Sequence, residues 1–315
     1  MSTISVIIPA YNAEKFIGEA IESALNQTRP AREIIVVDDA STDRTTEIAR
    51  GYGDRVQVLV NNVNSGPGHS RNAGVAASTG DYLAFLDADD KWLPGHLDSL
   101  GQLLDEHSDL GMVFCPVVWF GDRTGQWPIR VSNYENPRNA FLDMLRNISC
   151  VPSAMMVRRA AHEAIGGFDE GDYRYRGRRI QAEDLDYAIR ISLEAPVMAN
   201  AIPTVRYRVH PGQASVIRVQ QVLLAFRYRL QILSALALDS RHYALVPAAR
   251  DRVIRCWEEH IEEVWAKRDM AGLRHMAEFG LKRRLLRRAT WPYAAKALLP
   301  GMMVRLMDGR RQPED

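Results

Sequence analysis

Short apolar runs alternate with amphipathic segments along the first 110 residues of the chain. The runs are rich in β-branched side chains and predict four strands, at residues 4–9, 33–39, 56–60 and 82–87. Between the first two runs lies one helical stripe, made of Phe16, Ile17, Ala20, Ile21, Ala24 and Leu25. Further helices are predicted from near Thr42 and after Pro67. Because parallel strands need crossover connections, the alternation predicts an α/β fold with a mostly parallel sheet flanked by helices.

The pattern changes twice further along the chain. Between about 110 and 210, it predicts strands at "MVFCPVVWF" (112–120) and "SAMMVRR" (153–159), and a helix at "EDLDYAIRISLEA" (183–195). From about Val216 onward the apolar spacing is almost purely helical. We therefore predict a sheet domain over residues 1–215, followed by a C-terminal helical region over residues 216–315.

The composition is that of an ordinary globular protein. Its 315 residues are 46% hydrophobic and 25% charged, which is enough apolar material for a sizeable core. Cys115, Cys150 and Cys256 are far apart and have no metal-type spacing, which favours buried thiols in a reducing compartment. No basic leader precedes the first strand, and no apolar run is long enough to span a bilayer. We expect a cytoplasmic location.

Positive charge is concentrated near the C-terminus. The formal net charge is +1, but residues 274–311 contain ten Lys or Arg against two acidic residues, which leaves −7 for the rest. Within this segment "LKRRLLRR" (281–288) sets leucines beside arginines, and Trp291 and Tyr293 follow. The pattern fits either a helix at an anionic membrane surface or a helix packed on the protein with its arginines in water. The tail lacks the interleaved base-stacking aromatics of nucleic-acid binders, so we expect no nucleic-acid partner.

Polar clusters follow three of the predicted strands. They occupy residues 9–12 after the first strand, Asp38 and Asp39 after the second, and residues 87–90 after the fourth. Ligands of open α/β sheets bind beyond the carboxyl ends of the strands, so these clusters are expected to meet in one crevice. The helix that follows Pro67 would bring Arg71 to the same place.

Three carboxylates stand within four positions in "YLAFLDADDKW" (82–92), directly after an apolar run. Mutual repulsion and desolvation both oppose such a cluster. A divalent cation bound by Asp87 and Asp89 would offset the repulsion, and Mg²⁺ or Mn²⁺ would complete its shell with phosphate oxygens. A diphosphate ligand is then implied. Taken alone, the same acids equally suit a solvated turn or a cap for the helix after Pro94.

Two other enzyme classes fit less well. A nicotinamide enzyme needs a glycine-rich turn after the first strand, and "PAYNAEKF" (9–16) contains no glycine. A phosphatase with a nucleophilic aspartate usually carries its Asp-x-Asp element at the first strand, where this chain has Pro9 and Ala10. Both alternatives are therefore disfavoured.

Several segments, taken in order, resemble glycosyltransferase family 2, the inverting nucleotide-sugar enzymes with the GT-A fold. The similarity covers about residues 3–215 and is carried by "SVIIPAYN", "EIIVVDDASTDRT", "NSGPGHSRNAGVAASTGDYLAFLDADD", "AIGGFDE", "AEDLDYAIR" and "YRVHPGQAS". The resemblance implies a catalytic domain over 1–215, with a nucleotide-binding half at 1–110 and an acceptor-side half at 111–215. The segment 216–315 lies outside it and forms a helical, basic extension.

The resemblance also implies roles on the donor side. The residues that would line the nucleobase and ribose pocket are Pro9, Tyr11, Asn12, Asp39 and Arg71. Asp39 would accept a hydrogen bond from a uracil-like imide, whereas Asp38 suits a turn or capping role. Asp87 would hold the ribose or a metal-bound water, and Asp89 would ligate Mn²⁺ or Mg²⁺ directly. His210 resembles the family's diphosphate- or metal-contacting histidine, although an isolated loop histidine is the commoner case.

On the acceptor side, the resemblance makes Asp184 the general base and Glu183 its supporting residue. Acids at a helix N-terminus also stabilise the helix dipole, so a capping role is the alternative for both. The segment Gly166–Asp169 reads as a helix stop and turn, and by resemblance as part of the acceptor wall. Between Glu170 and Glu183 lies an unusually basic stretch, which fits a solvated loop or a phosphate or acceptor clamp formed by Arg176, Arg178 and Arg179.

The function implied is metal-assisted, inverting transfer of a sugar from a nucleoside diphosphate, with UDP favoured, to a glycan or lipid-linked acceptor. Polysaccharide biosynthesis for the cell envelope fits this activity. The alternative is a non-catalytic nucleotide-sugar-binding or scaffold protein of the same fold. Many family members act on lipid-linked acceptors, so the basic C-terminal helices are expected to make peripheral contact with the inner face of the membrane.

Overall fold

The computed structural model of the chain describes residues 1–126, 140–147, 150–175, 178–179, 181–211, 218–283, 285 and 293–294. The chain divides into two compact units. The first unit comprises Met1–Met144 and Ile148–Val216, and the second comprises Leu145–Asn147 and Ile217–Asp315. Within the described ranges, no helix combines the length and apolar character needed to cross a membrane.

The first unit contains thirteen described strands. In chain order they are β1 (Ile4–Ala10), β2 (Glu33–Asp38), β3 (Gln57–Val60), β4 (Tyr82–Phe85), β5 (Lys91–Trp92), β6 (Met112–Phe114), β7 (Val117–Gly121), β8 (Gly125–Gln126), β9 (Met155–Arg158), β10 (Arg174–Tyr175), β11 (Arg178–Arg179), β12 (Val197–Ala199) and β13 (Val205–Val209).

The helices connect these strands and then make up the second unit. In chain order they are α1 (Ile17–Leu25), α2 (Thr45–Arg50), α3 (Pro67–Ala77), α4 (His96–Glu106), α5 (Ala140–Asn147), α6 (Arg159–Ile165), α7 (Glu183–Glu194), α8 (Arg218–Leu236), α9 (Val246–Ala266) and α10 (Met270–Arg283).

The main sheet has seven described strands in the order β12-β6-β9-β4-β1-β2-β3. β9 is antiparallel to its neighbours β4 and β6, and the remaining pairs are parallel. All seven residues of β1, at the centre of the parallel half, are buried. This arrangement confirms the predicted mostly parallel α/β sheet, and it sets the carboxyl ends of β2, β1 and β4 side by side.

Four other strands form a second, smaller sheet in the order β5-β13-β7-β8. The prediction of one strand over residues 112–120 was wrong, because the run is divided between the two sheets. β6 joins the main sheet, whereas β7 pairs in parallel with β13. Pro116 stands at the division, where its lack of an N–H prevents an uninterrupted ladder.

The helix predicted from near Thr42 begins at Thr45 instead. Residues 42–44 form a turn, in which Asp43 Oδ1 accepts a hydrogen bond of 3.0 Å from the Thr45 N–H. Short polar side chains of this kind compete with helical hydrogen bonding and favour such turns. The predicted helix after Pro67 begins at Pro67 itself, with the preceding Gly66 at a φ of +95°.

The second unit is helical in its described part, as the sequence pattern predicted. Its interior contains a series of ring contacts. The Phe226 and Trp257 rings meet edge to face at 4.8 Å, and Trp257 stacks against Phe279 at 5.4 Å. These contacts join α8, α9 and α10 into one core. Cys256 is buried in this unit, and Cys115 and Cys150 are buried in the first.

Close packing of α3 on the sheet depends on Gly74. A Cβ added there would lie 2.5 Å from Ile7 Cγ2 and 3.2 Å from Val37 Cγ2. Overpacking costs about 1–3 kcal/mol, whereas alanine gains at most about 1 kcal/mol of helix propensity over glycine. We predict that Gly74→Ala lowers the free energy of unfolding by about 1 kcal/mol, measured by urea denaturation.

Gly18→Ala is the matched control for this prediction, because Gly18 also lies in a helix and a Cβ there would make only ordinary contacts, 3.6 Å from Tyr52 Oη and 4.0 Å from Ile48 Cγ2. Its free energy of unfolding should not fall, because alanine is favoured over glycine in a helix by about 1 kcal/mol. Equal midpoints for both variants would contradict the close approach of α3 to β1.

Candidate active site

The loops after β1 and β2 are fastened to each other. Asn12 donates its backbone N–H to Ser41 Oγ at 2.9 Å, and its side-chain Oδ1 accepts from the Thr42 N–H at 2.8 Å. Asn12 adopts a φ of +49°, which asparagine tolerates better than most residues. Pro9 is buried within β1, whereas Tyr11 is half exposed at the rim. An aromatic face is thus presented at the carboxyl edge of the sheet.

Asp39 is buried and organises the start of α3. Its carboxylate accepts hydrogen bonds from Asn61 Nδ2 at 2.8 Å, from the Ser65 N–H at 2.9 Å and from the Gly66 N–H at 2.7 Å. A carboxylate is favoured at a helix N-terminus, where unpaired N–H groups meet the positive end of the dipole. The Asp39 carboxylate is therefore fixed at the carboxyl edge of the sheet by hydrogen bonds from within the protein.

Its neighbour Asp38 turns toward the loop that follows β2. The Asp38 carboxylate accepts from the Ser41 N–H at 3.1 Å and from the hydroxyl groups of Ser41 and Thr46. This is the turn role expected for an aspartate before a Ser/Thr-rich segment. Asp38 thus stabilises the loop after β2, whereas Asp39 stabilises the start of α3.

Arg71, on α3, connects the two sides of the crevice. Its Nη2 donates to Asp87 Oδ1 at 2.7 Å, and its Nη1 donates to Glu183 Oε1 at 2.8 Å. The side chain is 4% exposed. Although burial opposes its charge, the carboxylates of Asp87 and Glu183 raise the pKa of Arg71. Its buried Nε has no hydrogen-bond partner among the described residues.

The segment after α6 packs beneath this guanidinium. α6 ends with Gly166 at a φ of +75°, which confirms the predicted helix stop. Phe168 lies 5.2 Å from the Arg71 guanidinium and stacks on Tyr187 at 3.8 Å. Asn72 exchanges two hydrogen bonds of 2.9 Å with the Phe168 backbone. Arg71 therefore packs on the Phe168 ring, and Asn72, its neighbour on α3, fixes the backbone of Phe168.

The three acids after β4 have separate environments. Asp87 accepts from Arg71, as described. Asp90 is 1% exposed and accepts from Ser153 Oγ at 2.7 Å and from the Arg208 N–H at 2.8 Å. Burial, together with the charges of Asp89 and Asp87, raises the pKa of Asp90 well above its usual range. Asp90 thus fastens β13 to the end of β4.

That fastening brings His210 to Asp89. His210 follows β13, and its Nε2 lies 3.0 Å from Asp89 Oδ2. Its ring also packs against Phe16 at 4.8 Å, and Arg208 Nε donates to the Asp89 carbonyl oxygen at 2.7 Å. About a third of the Asp89 side chain is exposed. This carboxylate–imidazole pair is accessible from the crevice.

Glu183 and Asp184 begin α7. Glu183 is buried against Arg71, whereas Asp184 is only partly buried. Asp184 Oδ1 accepts from the Leu185 N–H at 2.8 Å. Burial in the crevice and the charge of Glu183 raise the pKa of Asp184 to about 7. A carboxyl group with such a pKa is suited to proton transfer near neutral pH.

The donor atoms available to a metal ion are few. Among the described residues, no group of three or more His, Cys, Asp or Glu side chains could hold a metal ion. Asp89 and His210 form a pair, and Asp87 is turned to Arg71. Mg²⁺ and Mn²⁺ take one or two protein ligands when substrate phosphates complete the shell, so this pair fits a metal that arrives with a phosphate ligand.

The basic stretch after Glu170 is partly described. Within it β10 pairs antiparallel with β11, and its role as a solvated loop or as a phosphate or acceptor clamp stays a prediction. Arg178 and Arg179 belong to β11. Arg176 lies outside the described residues, as do Arg284, Arg287, Arg288 and Trp291 of the basic tail.

Some residues that build the crevice had no assigned role in the sequence. Ser153 accepts from the Asp87 N–H at 3.0 Å while donating to Asp90, and Asn72 holds the Phe168 backbone. These contacts span 63 to 96 residues of sequence, so no local pattern marks them. Asp90 was visible as the third acid of its cluster, but its burial was not.

The chain matches the family model described as glycosyl transferase family 2 over residues 5–166. One relative is TuaG of Bacillus subtilis (strain 168), provisionally named a teichuronic acid biosynthesis glycosyltransferase, which is 40% identical over 33% of this chain and 43% of its own length. Another is the uncharacterized glycosyltransferase YibD of Escherichia coli (strain K12), 38% identical over 39% of this chain and 36% of its own. The chain thus spans less than half the length of each.

Solved structures share the fold across nearly the whole chain. S. aureus TarS 1–349 in complex with UDP has a TM-score of 0.67 and 21% identity, over 94% of this chain and 86% of that one. The mannosyltransferase PcManGT from Pyrobaculum calidifontis, in complex with GDP-Man and Mn²⁺, has a TM-score of 0.61 and 18% identity, over 98% and 79%. With the family model matching just over half of the residues, the chain belongs to glycosyltransferase family 2.

Proposed function

We propose that the protein transfers a sugar, with inversion, from a nucleoside diphosphate to a glycan or lipid-linked acceptor. The observation that carries the proposal is the position of Arg71, whose guanidinium joins Asp87 on the strand side to Glu183 on α7. The same contact brings Asp184, at the start of α7, to the crevice. A donor-binding edge and a basic carboxylate therefore share one site.

The donor lies across the carboxyl ends of β1, β2 and β4 in this proposal. Tyr11 and Asn12 flank the base, beside the buried Pro9 and Asp39. The Nε of Arg71 has a hydrogen to donate, and a ribose or phosphate oxygen is a suitable acceptor for it. UDP is the favoured nucleotide, supported by the structural neighbour that binds UDP and UDP-GlcNAc.

Asp89 and His210 are the residues that would hold Mn²⁺ or Mg²⁺, with Asp87 behind them through a water or the ribose. The accessible oxygen of Asp89 and the adjacent imidazole match the ligand preferences of these ions. When bound, the metal neutralises charge on the departing diphosphate. A neighbour of the same fold carries Mn²⁺, which supports this assignment.

The Asp184 carboxylate takes the proton from the acceptor hydroxyl group while the oxygen of that hydroxyl group attacks the anomeric carbon. The bond to the diphosphate oxygen breaks in the same displacement, so the configuration at that carbon inverts. Glu183 is a positioning residue here, because Arg71 holds it and its charge keeps the pKa of Asp184 high. A base whose pKa lies near the working pH combines a useful ionised fraction with a strong drive to accept the proton.

The acceptor side is the coarsest part of the proposal. Arg176, Arg178 and Arg179 precede α7 and would clamp a phosphate on donor or acceptor. Polysaccharide biosynthesis for the cell envelope is supported by the name of the relative TuaG. The basic C-terminal helices would keep the protein at the inner face of the membrane, near a lipid-linked acceptor.

Replacing the base tests the proposal directly. Asp184→Asn removes the proton acceptor but keeps the size of the side chain, so transfer should fall about 10²–10⁴-fold while donor affinity is retained. Transfer and hydrolysis are measured with Mn²⁺ over a panel of UDP-, GDP- and TDP-sugars, and donor affinity by calorimetry. Asp186→Asn is the matched control, because Asp186 is held by Arg190 on the same helix. Near-normal turnover by Asp184→Asn would leave Asp184 a capping residue.

The pH dependence of the reaction follows from the raised pKa of Asp184. Only the ionised carboxylate accepts a proton, so kcat/KM should be level above about pH 8 and fall tenfold per pH unit well below pH 7. The residual rate of Asp184→Asn should lack this acidic limb. A limb centred near pH 4 in the unchanged protein would contradict the assignment.

Metal dependence is predicted to reside in Asp89. Asp89→Ala should weaken Mn²⁺-dependent affinity for UDP by more than about tenfold, the usual scale for loss of a metal-site contact. The fold should persist, because the Asp89 side chain is about a third exposed. Asp98→Ala, at an exposed position of α4, is the control. Unchanged Mn²⁺-dependent affinity in Asp89→Ala would refute the metal assignment.

A further inference from the structure

A groove with a cavity of about 460 Å³ opens on the second unit. Its apolar lining comes from three directions. Leu230 and Leu233 lie on α8, Val253 and Ile254 on α9, and Leu285 just beyond α10. Volumes of 300–1,000 Å³ are typical of sites that bury a small ligand. The groove belongs to the helical unit alone and takes no part in the crevice described above.

The polar side chains at this groove have one sign of charge. Of the described residues that line it, Arg250, Lys282 and Arg283 are cationic, Ser234 is polar and none is acidic. All three cations are exposed, and none forms an ion pair with a carboxylate in the part of the chain that the structure describes. The Arg283 guanidinium lies over the Phe279 ring, 5.8 Å from its centroid.

Other exposed cations on the same helices are neutralised. Arg255 on α9 pairs with Asp251, and Arg274 on α10 pairs with Glu278 at 3.2 Å. Pairs of this i,i+4 type are the usual way in which a helix surface balances its charge. The absence of such partners for the groove cations therefore sets this edge apart from the rest of the two helices.

Two exposed leucines are next in sequence to residues that line the groove. Leu238 is 90% exposed and follows the lining residue Ala237, and Leu281 is 43% exposed and precedes Lys282. Covering a leucine this exposed would be favourable by about 25 cal/mol per Å² of apolar surface removed from water. An apolar channel with a cationic margin and exposed leucines has the chemistry of both ends of an anionic amphiphile.

We propose that this groove binds a single lipid with a phosphate headgroup, its hydrocarbon chain along α8 and α9 and its phosphate among Arg250, Lys282 and Arg283. Charge excludes two other occupants. Residues 286–315 of the chain itself carry six basic and three acidic side chains, a net charge of +3, so this margin repels them as a whole. A second copy, related by twofold symmetry, would bring the same cations face to face. An anionic lipid satisfies both the apolar wall and the cations.

The proposed lipid site is independent of the transfer reaction, and its test uses no sugar. The full chain is titrated by calorimetry with dodecyl phosphate below its micelle concentration. Inorganic phosphate and the neutral dodecyl maltoside are titrated in parallel. Dodecyl phosphate should bind measurably, and neither control should bind comparably, because each supplies only one of the two contacts.

Two pairs of variants separate charge from shape. Arg250→Gln with Lys282→Gln should weaken dodecyl phosphate binding about 25-fold, at about fivefold per cation. Arg255→Gln with Arg274→Gln makes the same charge change on the same helices and should leave binding within about twofold. Ala237→Trp fills the groove without changing charge and should abolish binding, whereas Ala248→Trp, at an exposed position of α9 outside the groove, should not.

Several results would overturn the proposal. Equal binding of inorganic phosphate would make the margin a simple anion site, and equal binding of dodecyl maltoside would remove the role of the cations. Equal losses in the groove and control charge pairs would indicate adsorption by net charge. Concentration-dependent dimerisation abolished by Ala237→Trp would assign the groove to a second copy of the chain. Unaltered circular dichroism of each variant ensures that a loss of binding is not a loss of fold.

Discussion

The buried guanidinium of Arg71 is the interaction on which the crevice depends. Two carboxylates from opposite sides, Asp87 and Glu183, meet on it at 2.7 and 2.8 Å. Arg71 and Glu183 are buried and Asp87 is partly buried, and charges in such places are tolerable only while they remain paired. Removing Arg71 would leave two carboxylates facing each other, and a lysine in its place would lose the fork that reaches both. Arg71 therefore links the residues after β4 to the start of α7 by a hydrogen bond to each.

A set of neutral contacts keeps that side chain in place. Asn72 holds the Phe168 backbone, and Phe168 stacks between Arg71 and Tyr187. An added Cβ at Gly68 would lie 2.3 Å from the Asp169 carbonyl oxygen, so only glycine permits this approach of α3. On the other side, Ser153 and Asp90 fix the end of β4 to β13. Packing and hydrogen bonds around Arg71 thus support the arrangement that its ion pairs make.

The sequence was sufficient for the central architecture because its signals are local. Alternating apolar runs and helical stripes specify β1 to β4 and the helices between them. The polar clusters could be located because they directly follow the ends of predicted strands. Pairing across the sheets is not local. Contacts between residues far apart in the chain determine the split of residues 112–120 at Pro116 and the antiparallel direction of β9. They also determine why Asp87 and Asp90 have different hydrogen-bond partners. The pairing of β10 with β11 was not predicted, because these short strands consist mostly of arginine and show no apolar alternation.

The shared guanidinium has a thermodynamic consequence. Asp87 and Glu183 compete for one cation, so a ligand that engages Asp87 alters how strongly Arg71 holds Glu183. Since the charge of Glu183 acts on Asp184, occupancy of the strand edge changes the proton affinity at the start of α7. Coupling of this kind is reciprocal, and protonation at Asp184 must alter affinity at the strand edge by the same factor. Ligand binding at the strand edge and protonation at the start of α7 are thereby linked through a single arginine.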